Sequence, residues 1–205
     1  MDLTPASPQA VAAALAEASR AGRPVTPVGG GTRSRRGAAG RAAEPLSVAA
    51  LDGLVEHEPA DMTVTVQAGM PAARLAEVLA PHRQAWPQAD VRPGSTVGGV
   101  LACGASGRLR LRYGPVRDSL LEVVLATGDG RLVRGGARTV KSVTGYDLPR
   151  LAVGSLGVLG VVVQVTLKVA PVPDAAAWFA AGGGVEERLE LAREVLARVH
   201  RPAAV

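Results

Sequence analysis

The chain has 205 residues, 47% of them hydrophobic and 20% charged, a balance that sustains a buried core and excludes the regime of disordered chains. Its formal charge of +5 rests almost wholly on arginine, since Lys141 and Lys168 are the only lysines. Aromatics make up just 2%, too few to stack bases, and the arginines are scattered, so no nucleic-acid partner is expected.

In chain order, residues 7–20 read as a helix in which Ser7 caps, Pro8 suits the first turn, and Val11, Leu15 and Ala18 share a face. Residues 24–28 are β-like and run into Gly29-Gly30-Gly31-Thr32-Arg33, a glycine loop with no helical pattern behind it. Residues 46–51 read as a short strand, and residues 62–67 alternate as a half-buried strand does, until Gly69 breaks it. Helical spacing returns over residues 71–79 through Leu75, Val78 and Leu79. Residues 86–95 form an extended proline-containing loop, residues 96–103 a short glycine-containing helix, and residues 104–107 a glycine-rich turn. Residues 120–126 and 131–134 flank Gly128-Asp129-Gly130, where Asp-Gly supplies the positive φ of a tight hairpin. Residues 160–169 are a β-branched buried strand that stops at Pro171 and Pro173. Beyond them, residues 185–200 read as an amphipathic helix with little left to pack against. Strands joined by hairpin signals and short helices, rather than by regular long crossovers, predict an α+β fold.

No stretch approaches the ~20 apolar residues of a membrane-spanning helix, so no transmembrane segment is expected. The opening Met1-Asp2-Leu3-Thr4-Pro5 lacks the basic region and apolar core of a secretory signal. A lone Cys103 fits a reducing compartment, and the expected location is cytoplasmic.

Glycine clusters at residues 29–31, 94–99, 104–107 and 154–160 let backbone approach a ligand closely, and consecutive N–H groups there can cradle an anion. Two familiar phosphate motifs fail on context. The loop ending at Gly160 leads into a strand, not the helix a dinucleotide fingerprint requires, and Lys141-Ser142 follows Val140 instead of the glycine of a P-loop. Taken one at a time, each cluster is more often a turn than a ligand site.

Taken together, they carry a resemblance. Pro27-Val28-Gly29-Gly30-Gly31-Thr32, Pro93-Gly94-Ser95-Thr96-Val97-Gly98-Gly99, Ala105-Ser106-Gly107 and Arg112-Tyr113-Gly114 resemble, in order and spacing, flavin-binding domains of the vanillyl-alcohol-oxidase type, the PCMH-type FAD-binding domains. Val140-Lys141-Ser142-Val143-Thr144-Gly145-Tyr146-Asp147-Leu148 and the run from Gly154 through Gly157 and Gly160 to Val162 resemble more narrowly the FAD-binding subunit of bacterial glycolate oxidase. The motifs cover about residues 24–172.

The resemblance implies two α+β subdomains with FAD between them. It assigns the pyrophosphate to Val28, Gly29, Gly30, Gly31 and Thr32. Pro93, Gly94, Ser95, Thr96 and Gly99 match the segment near the flavin ring and ribityl chain; Cys103, Ala105, Ser106 and Gly107 match a third segment, and Gly160 and Val162 a strand start whose backbone meets the cofactor. Where Thr32 stands many relatives carry a histidine that bonds the flavin, and threonine cannot, so noncovalent FAD is expected. Cys103, beside apolar Leu101 and Ala102, is expected to be an unreactive thiol.

Other candidates read as structural. His57, His82 and His200 lack metal-ligand spacing. Arg33, Arg35, Arg36, Arg108, Arg110 and Arg112 read individually as solvated loop charges, although as a group they bring positive potential to a diphosphate or carboxylate. Tyr146 and Asp147 read as a structural corner before they read as part of a site.

Residues 1–173 are expected to form the FAD-binding domain, and residues 174–205 a helical extension or the remnant of a substrate-binding cap. The implied activity is oxidation of a small 2-hydroxy acid such as glycolate or D-lactate, by hydride transfer to flavin N5, with a catalytic base that the sequence does not name. The implied partners are a second flavoprotein subunit and an iron–sulfur subunit, since this chain has no cysteine set for a cluster. The competing reading is a non-catalytic FAD-binding or scaffold module.

Overall fold

The computed structural model describes residues 3–33, 43–138, 146–200 and 202–204. The motif residues Val140 to Gly145 and the arginines Arg35 and Arg36 lie outside them. Helix α1 (Pro8–Arg20) starts as expected: the Ser7 hydroxyl accepts from the Ala10 amide at 3.1 Å, Pro8 occupies the first turn, and Val11, Leu15 and Ala18 are buried. Strand β1 (Val25–Val28) pairs in parallel with β2 (Glu44–Ser47). The strand expected over residues 46–51 is thus shorter and earlier, because after Val48 the chain turns and the Leu51 amide bonds back to the Val48 carbonyl. Leu46, Val48 and Leu51 are all buried, so the apolar pattern reported burial rather than extension.

Next come β3 (Leu54–Glu58), β4 (Thr63–Gln67), α2 (Ala72–Leu79), β5 (Gln84–Ala85), α3 (Val97–Ala102), α4 (Arg110–Tyr113), β6 (Leu120–Ala126), β7 (Leu132–Gly136), α5 (Leu148–Ala152), β8 (Val161–Lys168), β9 (Ala170–Pro171) and α6 (Val185–Arg198). A five-stranded antiparallel sheet in the order β3-β4-β8-β6-β7 is the centre of the fold. β3 was not legible in the sequence because it is an edge strand whose charged Glu56 and Glu58 and half-exposed side chains break the alternation. The β6–β7 hairpin forms with Gly130 at φ +85°.

The sheet has two dry faces. On one, α1 and the β1–β2 pair pack Val11, Leu15, Leu46 and Leu51 against Val124, Ala126, Val161 and Val163. On the other, α2 and α3 pack Leu75, Leu79, Val100 and Leu101 against Val66, Val123, Val162, Val165 and Leu167. β8 serves both faces through a bulge: Val124 pairs with Gln164, but Leu125 pairs with Val162, so Val163 turns to the α1 side. Strand burial on both faces is why residues 160–169 read as a continuous apolar run.

Polar groups in this core are paired. Thr65 and Thr166, register partners on β4 and β8, join hydroxyls at 2.9 Å. The Trp86 indole N–H donates to the fully buried Ser119 hydroxyl at 2.8 Å. Ser119→Ala orphans that donor and is expected to cost about 1–3 kcal/mol of stability, readable in a denaturant melt.

Residues 172–204 contribute no buried side chain among those described, and Trp178, Phe179, Leu189 and Leu196 of this stretch are exposed. No described helix is long and apolar enough to cross a membrane.

Candidate functional site

Where β1 ends, the chain enters Gly29-Gly30-Gly31 and meets the loop ahead of α3 backbone to backbone. A Cβ on Gly29 would lie 2.2 Å from Thr96 Oγ1, and one on Gly30 only 1.6 Å from the Gly94 carbonyl oxygen. Glycine is required at Gly30 because two main chains touch, and at Gly29 because the Thr96 side chain fills the space a Cβ would take. Gly31 then turns at φ +67° with open space around it. The amides of Gly29, Gly30, Gly31 and Thr32 find no hydrogen-bond acceptor among the described residues. Unpartnered amides beside such a turn make a concave donor surface for an anion.

The wall opposite is α3 and the start of β8. Thr96 caps α3, its hydroxyl accepting from the Gly99 amide at 3.3 Å, and the Val97 and Gly98 amides bond to the Met70 and Ala68 carbonyls. Gly98 has no room for a Cβ, which would lie 2.7 Å from that of Ala68, so the helix is pressed onto the turn that follows β4. A cavity of about 140 Å³ opens between the glycine loop, α3, β8 and the Leu156-Gly157 turn.

The sequence-predicted residues fall into four groups. Val28, Gly29, Gly31, Thr32, Thr96, Gly99, Cys103 and Val162 line this cavity. Gly30, Pro93, Gly94 and Ser95 stand behind the lining, the Ser95 hydroxyl accepting from the Arg92 amide at 3.0 Å. Gly160 precedes the lining residues Val161 and Val162, at φ +149°. Ala105, Ser106 and Gly107 lie elsewhere: Ala105 is in the core, Ser106 Oγ accepts from the Val116 amide at 3.0 Å, and Gly107 packs against the Ala89 carbonyl. Their backbone pairs with residues 88–90 and so braces the loop that leads to Pro93.

Sequence reasoning missed Pro27, Val48, Leu156, Gly157 and Arg33 as lining residues. The Gly154 to Gly160 motif carried the signal for Leu156 and Gly157, where Leu156 takes φ +54°. Arg33 is a correction. It is not a solvated loop charge: its side chain is 3% exposed, with one terminal nitrogen 2.9 Å from Asp90 Oδ2 and the other 3.1 Å from Ser95 Oγ. Arg108 stacks over the Trp178 ring, and it, Arg110 and Arg112 are away from the cavity. Tyr146 is solvent-exposed and Asp147 caps α5 by accepting from the Arg150 amide at 3.1 Å. His57 and His82 pack edge to face at 5.0 Å, away from the cavity, and among the described residues no group of three or more metal-ligating side chains assembles.

Residues 1–136 match the family described as FAD binding domain. The chain belongs to that family. Over 134 residues it is 37% identical to glycolate oxidase subunit GlcE of Escherichia coli K12, an alignment that takes in 64% of this chain and 38% of the relative. It is 32% identical over 169 residues to a D-lactate dehydrogenase of Archaeoglobus fulgidus, covering 82% of this chain and 38% of that protein. A solved alkyldihydroxyacetonephosphate synthase superposes with a TM-score of 0.69 at 23% identity over 84% of this chain and 32% of its own, a likeness of fold. The chain therefore spans less than two-fifths of the length of these relatives. The α+β FAD-binding fold that the sequence implied is the fold found, and FAD is the cofactor of this family.

The residues present suit that cofactor. The open amides of residues 29–32 offer a diphosphate its donors, and the apolar wall of Val48, Leu156, Val161 and Val162 offers aromatic rings a dry surface. The side chains lining the cavity include no carboxylate, histidine, lysine or tyrosine among the described residues.

The Arg33 guanidinium hydrogen-bonded to Asp90 holds that carboxyl below the usual aspartate range, against the opposing pull of burial. A depressed folded-state value means that the pair's contribution is present above the unfolded aspartate pKa of ~4 and is lost as pH falls through the lower folded value. Asp90→Asn is therefore expected to lower the melting temperature at neutral pH, with the gap to the unsubstituted protein closing as pH falls below the usual aspartate range. Parallel thermal melts across pH read this directly.

Proposed function

We propose that this chain is the FAD-binding part of an oxidoreductase that oxidises a small 2-hydroxy acid such as glycolate or D-lactate. The carrying observation is the cavity in which a glycine loop with open amides faces α3 and the apolar start of β8. The kinship with glycolate oxidase subunit GlcE and with a D-lactate dehydrogenase supports the substrate class. Bound FAD supplies an acceptor at flavin N5 for the substrate's Cα hydride. Val28, Gly29, Gly31 and Thr32 hold the diphosphate; Thr96 and Gly99 face the flavin end; Val161 and Val162 exclude water. Thr32 offers no ring nitrogen for a flavin bond, so the cofactor is held noncovalently, with Cys103 an unbonded, half-buried thiol on the cavity wall.

The proton acceptor for the substrate hydroxyl comes from outside the described cavity lining, which has no side chain for that role. This favours a site completed elsewhere, with residues 1–173 as the FAD-binding domain and residues 174–205 as a helical extension or cap remnant. A second flavoprotein subunit and an iron–sulfur subunit then take the electrons onward. The same missing base supports a second reading, a non-catalytic FAD carrier or scaffold. Anaerobic addition of glycolate or D-lactate to the FAD-loaded protein separates them. Bleaching near 450 nm, alone or once partner subunits are added, is the expected result, and an oxidised spectrum in every mixture would leave the carrier reading.

A further inference from the structure

Arg33 is the most deeply buried cation among the described residues, and the role assigned to the glycine loop does not explain it. Only 3% of its side chain is exposed. Its terminal nitrogens are committed to Asp90, through the carboxylate at 2.9 Å and the backbone carbonyl, and to Ser95 Oγ at 3.1 Å. Its Nε is buried and has no acceptor among the described residues. A buried guanidinium N–H left unpaired is costly, and native structures keep such a cost where a ligand or a working geometry relieves it. Arg33 also lines the cavity, directly after the four open amides of residues 29–32. Asp90 and Ser95, on the loop that runs to α3, fix its orientation and tie that loop to the glycine loop across 57 and 62 residues of sequence.

We propose that Arg33 is the charged anchor of the cofactor's diphosphate, its guanidinium held by Asp90 and Ser95 and its free Nε–H completed by a phosphate oxygen. The inference rests on the FAD-binding reading above. It adds a side-chain charge to a site otherwise built of backbone donors and makes Asp90 and Ser95 positioning residues. A planar guanidinium is suited to this because it can serve two protein acceptors and a phosphate at once, which an ammonium on a flexible stem cannot do with the same geometry.

The test compares two probes on the full chain by fluorescence titration: FAD, which carries the diphosphate, and riboflavin, which carries the ring without phosphates. Arg33→Met is expected to weaken FAD by about 10- to 100-fold, the range of a hydrogen bond to a charged group. Riboflavin affinity is expected to stay within about threefold, since it makes no phosphate contact. Arg33→Lys is expected to recover part of the FAD affinity through charge alone. Should Arg33→Met fail to fold, Arg33→Lys carries the test by itself, with FAD weakened and riboflavin unchanged. Equal loss for both probes would make Arg33 a packing residue, and unchanged FAD affinity in either folded variant would overturn the proposal. Absence of FAD binding by the unsubstituted protein would instead overturn the FAD-binding reading on which it rests.

Discussion

Gly30→Ala is expected to weaken FAD binding by about a hundredfold or more while leaving the fold intact, because a misplacement of about 1 Å at a positioning loop costs on that order. The added methyl would lie 1.6 Å from the Gly94 carbonyl oxygen and 2.8 Å from its carbon, both main-chain atoms that cannot swing aside as a side-chain tip can. The glycine loop and the loop ahead of α3 must therefore part, which opens the cavity between Gly29 and Thr96 and displaces Arg33 from Ser95. Neither core cluster includes a residue of the contact itself, 29–32 or 93–96, so the melting temperature should fall far less than the affinity does. Gly128→Ala is the control: a methyl on Gly128 would meet nothing within 4 Å, and both affinity and stability should be unchanged. Titration of the two variants side by side checks the contrast.

The largest loss of stability is expected at Leu167. It is fully buried on β8, between β4 and β6, where it pairs with Val64 on one side and Leu120 on the other. Leu167→Ala removes buried methyl groups from a strand hydrogen-bonded on both sides, where the backbone cannot collapse into the space, and is expected to cost about 2–5 kcal/mol. For a chain of this size that lowers the melting temperature by roughly 5–15 °C. Because Leu167 lies at the end of β8 away from Val161 and Val162, FAD affinity of the folded fraction should be little changed. Calorimetry and FAD titration together distinguish this pattern from that of Gly30→Ala.

The sequence revealed the fold wherever pattern and burial coincide. Helix α1 was legible because Ser7, Pro8 and the Val11, Leu15, Ala18 face all point to one element. β8 was legible because β-branched side chains fill both of its faces. β3 was hidden by its place at the sheet edge, and the parallel β1–β2 pairing joins strands separated by the glycine loop, a partnership with no local signature. Gly29, Gly31, Thr96 and Val162, which the joint glycine motifs single out, line the cavity, whereas Ala105, Ser106 and Gly107 brace a neighbouring loop and do not face it. Arg33 was the instructive failure. An arginine beside glycines reads as a surface charge until Asp90 and Ser95, distant in sequence, are seen around it.

Noncovalent FAD in this cavity is tested most directly by the absorption spectrum of the purified protein, reconstituted with FAD if colourless, before and after acid precipitation. Flavin bands in the folded protein that pass wholly into the acid supernatant are the predicted result. Flavin retained in the pellet would point to a bond through Cys103 on the cavity wall, and a folded protein that takes up no FAD would contradict the assignment of this cavity altogether.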